Sequence, residues 1–455
     1  MKTKILIILT CIINLNLNAQ FGPQQIISTN ANSASSVSTA DIDGDGDMDV
    51  LSASFGDDKI AWYENDGQGN FGSQQIISIN ADGAYSVYAA DFDSDGDLDV
   101  LSASQTDDKI AWYENTDGLG NFGNQQIIVG STNDPLSVYA TDIDGDGDMD
   151  FISASMFDDK VAWYENTDGL GNFGPQQIIT TNADAAHSVY ATDIDGDGDI
   201  DVLSASSGDN KIAWYENTDG QGNFGAQQII SVNAILALSV FSIHIDGDGD
   251  MDVLSASRSD NKVAWYENTT GLGNFGPEQI ITTNAIGATS VHSVDIDGDG
   301  DMDVLSACAH IDAIAWYENT DGQGGFGPQQ IITTNAVFTK SVVASDLDGD
   351  GDMDVLSASY ENVNIAWYEN QHLLSINDNI LLKLLLYPNP TNNFATISLE
   401  EEATYSLINI QGRILQQGQF TIGDNTLDVS QYARGLYFIN VKTVVGNTTL
   451  KLIKK

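Results

Sequence analysis

A nine-residue aspartate cluster recurs seven times in this chain at an almost fixed interval. It first runs Asp41-Ile42-Asp43-Gly44-Asp45-Gly46-Asp47-Met48-Asp49 and begins again at positions 91, 142, 193, 244, 295 and 346. Spacing this regular means one structural unit copied seven times, so fold and chemistry follow from the unit and its count.

Each unit continues through an apolar run such as Val50-Leu51-Ser52-Ala53-Ser54, a variable stretch, Trp-Tyr-Glu-Asn, a Gly-rich turn, Phe-Gly and Gln-Gln-Ile-Ile. All seven tryptophans (Trp62, Trp112, Trp163, Trp214, Trp265, Trp316 and Trp367) hold one repeat position. Short runs rich in Val, Ile, Tyr and Trp, punctuated by Gly, Asp and Asn, predict β-strands joined by tight turns. No helical period is sustained. The fourth copy reads as strands over 188–193, 201–206 and 211–217, with a fourth beginning at 224. Four-stranded units of this length predict an all-β chain whose repeats are propeller blades. Residues 21–27 look like the last strand of a repeat without its first three, and the seventh copy, ending at Asn370, lacks that strand. A terminal strand completing the last blade would remove two free edges, so the expectation is a closed seven-bladed β-propeller.

The acidic loops suit a hard cation. Calcium takes six to eight oxygen ligands, which aspartates spaced along a tightly turned loop supply, and Gly46 permits the sharp turn. An EF-hand is excluded: it needs a bidentate Glu at position 12 and flanking helices, whereas position 12 here is serine (Ser52, Ser102, Ser153, Ser204, Ser255, Ser306, Ser357) and the flanks are strands. Residues 21–370 hold 60 of the 66 acidic and 7 of the 16 basic residues. Packing so many carboxylates into turns is costly without a compensating cation, and the net charge disfavours nucleic acid and anionic membrane surfaces.

The D-x-D-G-D-G-D-x-D loops with their following strands, and Phe-Gly pairs such as Phe122-Gly123 and Phe173-Gly174, resemble the FG-GAP or VCBS repeats of integrin α-like propellers and of many secreted bacterial proteins. The resemblance implies about one Ca2+ per blade, held by the side chains at loop positions 1, 3, 5 and 9 and the main-chain carbonyl at position 7. Those residues are Asp41, Asp43, Asp45, Asp47 and Asp49; Asp91, Asp93, Asp95, Asp97 and Asp99; Asp142, Asp144, Asp146, Asp148 and Asp150; Asp193, Asp195, Asp197, Asp199 and Asp201; Asp246, Asp248, Asp250 and Asp252; Asp295, Asp297, Asp299, Asp301 and Asp303; and Asp346, Asp348, Asp350, Asp352 and Asp354. Two loops depart from the pattern. Ser94 replaces the position-4 glycine, and His244 replaces the first aspartate of the fifth loop, which should be the weakest site. Ser-Ala-Ser also stands where the integrin pattern has Gly-Ala-Pro, which argues against transferring integrin partners.

Beyond Asn370 the acid–base balance evens out. Apolar runs over 395–399, 405–410, 413–416, 436–441 and 448–453 predict a small Ig-like β-sandwich. Leu386-Tyr387-Pro388-Asn389-Pro390, Ile410-Gln411-Gly412-Arg413, Arg434-Gly435-Leu436-Tyr437 and the basic end Lys451 to Lys455 resemble the C-terminal (Por) sorting domain of the type IX secretion system of Bacteroidota. That implies type IX machinery as a partner, and release or surface attachment after passage through the periplasm. At the other end, Lys2 and Lys4 before the apolar run 5–13, with a cut before Gln20, predict a signal peptide. Lipidation at Cys11 is the weaker reading. Without the leader only Cys308 remains, so no intramolecular disulfide can form. No other segment is apolar and long enough to span a bilayer. The expected domains are a signal peptide (1–19), a seven-bladed propeller (20–370), a linker (371–383) and a sorting domain (384–455), in a monomer.

The repeated tryptophans read as blade-to-blade packing rather than a sugar-stacking array, and His187, His244, His292, His310 and His372 share no metal-ligand spacing. Two stretches vary among the copies. One precedes the first strand (32–36, 82–85, 133–136, 184–187, 235–238, 286–289, 337–340), and the other joins the second and third strands (55–58, 105–108, 156–159, 207–210, 258–261, 309–312, 360–363). Both should emerge on the face opposite the aspartate loops, where a rigid scaffold carries binding functions. A secreted or surface calcium-binding protein of adhesion type, recognising a glycan or protein, is therefore expected. The alternative is a secreted polysaccharide-active enzyme, which the lone propeller arginine, Arg258, supports poorly because catalysis needs convergent groups.

Overall fold

The computed structural model describes residues 20–130, 132–371, 385–399, 402–409, 413–442 and 447–455. The chain divides into two compact units, one ending at His372 and one beginning at Leu373. The predicted signal peptide, Cys11, His372 and most of the predicted linker lie outside the described residues.

The first unit contains seven four-stranded antiparallel sheets. In the fourth repeat the strands are Ala186–Thr192, Asp201–Ser206, Lys211–Tyr215 and Gln228–Ser231, paired in sequence order. The fourth strand thus starts later than its pattern suggests. Phe224 instead forms an isolated bridge with Asn217, and the intervening Gly225 N–H bonds back to Glu216 O at 2.7 Å. The second strand, Asp-Val-Leu-Ser-Ala-Ser, is buried at every position because both its faces are covered, which is why its apolar character does not alternate. Its position-12 serine meets the following tyrosine, as Ser204 Oγ lies 3.1 Å from Tyr215 Oη.

The sheets share cores in pairs. Trp163 and Ile152 of the third repeat pack with Val189, Val202 and Tyr215 of the fourth, and the tryptophans are 2–4 % exposed. Burying one such side chain removes roughly 150–250 Å² from water, about 4 to 6 kcal/mol before entropy is subtracted. The tryptophan position is therefore inter-sheet packing, as expected.

The last sheet is completed by the start of the chain. Gln25–Ser28 pairs antiparallel with Asn364–Tyr368, and Phe21 bridges Asn370. Residues of the first and last repeats also share a core, in which Val37, Val50 and Tyr63 lie with Leu347, Leu356 and Trp367.

In the second unit, Leu385–Tyr387, Phe394–Leu399 and Gly423–Asp428 form one antiparallel sheet, and Ile414–Phe420, Ala403–Asn409, Gly435–Lys442 and Asn447–Lys454 form another. One apolar core, including Ile397, Leu407, Leu427 and Ile439, draws on both. The strand at 423–428 was not evident in the sequence because its Gly-Asp-Asn-Thr start reads as a turn.

Candidate metal centres and the variable face

Every aspartate loop joins the first two strands of its sheet, and its fold is set by carboxylates bonding main-chain N–H groups. In the third loop, Asp142 accepts from Gly145 N (2.8 Å) and Gly147 N (3.0 Å), and Asp146 accepts from Asp148 N (3.0 Å). Gly147 has φ +97°, which favours glycine. The position-9 aspartate anchors the loop from beneath. Asp150 is fully buried and accepts from Ile143 N (3.1 Å) and Asn166 N (2.7 Å).

Side-chain oxygens within 4.8 Å of one another come from positions 1, 3 and 9 in the first two loops (Asp41, Asp43, Asp49; Asp91, Asp93, Asp99). In three others they come from positions 1, 3 and 5 (Asp142, Asp144, Asp146; Asp193, Asp195, Asp197; Asp295, Asp297, Asp299). The position-7 side chain turns elsewhere. Asp148 lies against Gly169 and Asp199 against Gly220, in the turns after the third strand, where any Cβ would collide with the carboxylate. This leaves position 7 to contribute through its main chain.

The donor set suits a hard cation in two ways. Asp41 Oδ1, Asp43 Oδ1, Asp91 Oδ1, Asp93 Oδ1 and Asp144 Oδ1, all at positions 1 and 3, are buried without a hydrogen-bond partner, a state that is costly for a carboxylate left as it stands. Burial also pushes position 9 up to about 7 in all seven loops (Asp49, Asp99, Asp150, Asp201, Asp252, Asp303, Asp354), against the pull of its two N–H bonds. Burial, followed by the neighbouring position-5 charge, likewise raises Asp43, Asp93, Asp144 and Asp195. A divalent ion among these oxygens would satisfy the orphaned atoms and reverse both effects. The fifth loop differs: His244 Nδ1 lies 2.8 Å from Asp250 O, so the ring occupies the position-7 carbonyl that the other loops leave open.

The asparagine of Trp-Tyr-Glu-Asn ties neighbouring loops together, a role not evident from the sequence pattern. Asn217 Nδ2 donates to Ile200 O of its own loop (3.3 Å) and to Ile143 O of the preceding repeat's loop (2.8 Å). Asn115, Asn166, Asn268, Asn319 and Asn370 repeat the cross-sheet bond at 2.7–2.9 Å. Asn65 makes it from the first repeat to Leu347 O of the last, at 2.8 Å. Its unbroken recurrence beside the loops was the available signal.

At the opposite end of the strands the two variable stretches meet. One cavity is lined by a serine from each of the seven first strands (Ser36, Ser86, Ser137, Ser188, Ser239, Ser290, Ser341) together with Tyr85, His187 and Lys340. A second, of about 370 Å³, shares Tyr85, His187 and Lys340 and adds Phe55, Arg258, Phe338 and Tyr360. Tyr85 Oη lies 3.3 Å from His187 Nε2, while His187 Nδ1 lies 2.9 Å from Leu238 O. Burial pushes His187 down to about 4 and Tyr85 up to about 12.

A model of the FG-GAP-like repeat matches residues 41–102, 91–153, 142–204, 193–243, 244–306 and 295–357. A model of the secretion system C-terminal sorting domain matches residues 385–455. No curated protein matches the chain. Among solved structures, BBS1N in complex with ARL6DN is similar in two crystals. The lead-soaked crystal has TM-score 0.54 at 9 % identity and the mercury-soaked one 0.55 at 10 %, each match covering 77 % of this chain and 97 % of the other. A functionally unknown protein from Desulfotomaculum acetoxidans has TM-score 0.46 at 11 % identity, over 83 % of this chain and 98 % of its own. At these identities the likeness concerns the fold alone. No helix among the described residues is long and apolar enough to cross a membrane.

Proposed function

Since the chain belongs to the FG-GAP-like repeat family and carries a type IX sorting domain that sends it to the cell surface or outside, we propose that its seven sheets close into a calcium-loaded, seven-bladed propeller. This propeller binds a glycan or protein through the face opposite the aspartate loops. Closure is supported by the terminal strand in the last sheet and by the bond from Asn65 to Leu347 O. Calcium is supported by the all-oxygen clusters and their orphaned atoms. When bound, calcium would brace each loop, while the asparagines couple one loop to the next. The tail is read as an Ig-like β-sandwich.

The single observation carrying the binding assignment is the cavity lined from all seven repeats, because it gathers the segments in which the copies differ. The enzyme reading gains little from Tyr85 and His187. Each satisfies the other, His187 has its second nitrogen on a carbonyl, and neither ionises near neutral pH, whereas acid–base catalysis wants a group poised near the working pH.

A glycan array and a surface-protein pull-down, each run with the full chain in millimolar calcium, test this reading. Ligands competed by substitutions at Phe55 and Tyr360 are expected. Ligands that survive those substitutions but are lost on mutating the aspartate-loop face would overturn it.

A further inference from the structure

The basic residues of the repeat unit fall into two groups. Lys59, Lys109, Lys160, Lys211 and Lys262 hold one repeat position and pair with Asp57, Asp107, Asp158, Asp209 and Asp260 at 2.6–3.1 Å. The two that break the repeat, Arg258 and Lys340, come from variable stretches of the fifth and seventh copies and converge on one cavity. Among the described residues neither has a carboxylate within ion-pair distance, in a chain of formal net charge −50.

The surroundings of this pair are specific. Lys340 Nζ lies 5.9, 5.4 and 5.5 Å from the ring centres of Tyr85, Phe338 and Tyr360. The Arg258 guanidinium lies 5.3 Å from the Phe338 centre, and its Nη2 is 3.0 Å from His310 Nε2. Aromatic faces hold cations without neutralising them. Burial, and after it the Arg258 charge, lowers Lys340 to about 8. Burial, and after it the charge of the buried Asp134, raises Tyr85.

The deeper cavity adds donors. The hydroxyl oxygens of Ser86, Ser137, Ser188, Ser239, Ser290 and Ser341 accept from valine N–H groups of the neighbouring sheet at 3.2–3.5 Å. With a lone pair committed there, each O–H proton remains available to an acceptor in the cavity. Two positions further along the same strand face, Tyr88, Tyr139, Tyr190, Phe241 and His292 stack at 4.8–4.9 Å between centres, so aromatic rings lie beyond the serine ring.

We propose that this cavity receives a carboxylate-bearing sugar, a uronate unit of an acidic glycan. The carboxylate sits between Lys340, Arg258 and the serine hydroxyls, and the sugar ring lies against Phe55, Phe338 and Tyr360. A cavity of about 370 Å³ with an aromatic wall is larger and more apolar than an inorganic anion requires. This inference rests on the binding-face reading and specifies its ligand.

The test is calorimetric titration of the full chain in calcium with trigalacturonate, its methyl ester, sodium phosphate and tetraglutamate. The expected result is binding of trigalacturonate, weakened about 10- to 100-fold by esterification or by Lys340→Gln or Arg258→Gln, the loss of one charge-assisted bond. Lys340→Arg should retain it, with calcium content and melting unchanged. Affinity should also fall between pH 7 and 9 as Lys340 loses its proton, while His187 is already neutral and Tyr85 titrates higher. Equal binding of the ester, indifference to both substitutions, or phosphate or tetraglutamate binding as tightly as the uronate would overturn the proposal. A neutral glycan or protein ligand lost on Phe55→Ala or Tyr360→Ala would refute the acidic-sugar inference yet keep the binding face. A chain in which no ligand depends on these residues would lose both.

Discussion

Replacing Asn217 by alanine removes three hydrogen bonds at once. The amide donates to Ile143 O and Ile200 O at 2.8 and 3.3 Å, and its oxygen accepts from Gly222 N at 3.1 Å. The side chain is fully buried, and so is Ile143, whose carbonyl loses its partner across the sheet boundary. An orphaned buried carbonyl costs about 1–3 kcal/mol and each of the two lost partly buried bonds about 1, giving about 4 kcal/mol in total. Asn217→Asp should cost more, because a carboxylate would face two carbonyl oxygens. Asn223→Ala is the control: its amide makes one exposed bond, to Asp219 at 2.8 Å, and its loss should stay within about 0.5 kcal/mol. Urea unfolding of the three variants in saturating calcium, followed by tryptophan fluorescence, measures the differences. If Asn217→Ala fell within about 1 kcal/mol of Asn223→Ala, the asparagine could not be the tie between neighbouring loops.

Elemental analysis after dialysis into millimolar calcium should return six to seven ions per chain, and His244→Asp should strengthen the weakest site. Two or fewer ions would refute the metal reading, and removing bound calcium should lower the melting temperature by linkage. In chelator, stability should fall from pH 6.5 to 8. The position-9 aspartates have folded values near 7, above the unfolded range, so ionising them disfavours the fold, while His187 and His292 at about 4 and Lys340 at about 8 add little in that window. A metal-free chain that grows more stable over this interval would contradict the assignment. Deleting residues 21–28 should expose the edge of Asn364–Tyr368 and cause aggregation or loss of cooperative unfolding, as light scattering and calorimetry would register. A truncated chain as soluble and stable as the parent would argue against closure.

Repetition made much of the fold legible. The seven copies separate positions that never change from those that do, so the strand order, the tryptophan packing and the terminal strand of the last sheet all follow from comparing the chain with itself. Local rules were weaker at element ends. Phe224 lies in an apolar pattern yet ends as an isolated bridge, because Gly225 bonds back to Glu216 O and delays the strand to Gln228. The aspartate loops were legible as candidate cation sites, but not the division of labour within them. That Asp150 faces inward to two N–H groups while Asp148 turns toward Gly169 depends on how the loop lies on its own sheet.

What the sequence determined by itself was the unit, its sevenfold count, the all-oxygen chemistry of its loops and the change of character beyond residue 370, since each is written in local pattern and repeat spacing. The meeting of Arg258 with Lys340, more than 80 residues apart in the chain, and of Asn65 with Leu347 O was decided only in three dimensions. Nothing local distinguishes a paired lysine from an unpaired one, or a packing asparagine from one that bridges two sheets. Their roles come from which repeats the tertiary structure sets side by side and which ends of the strands it gathers into one cavity.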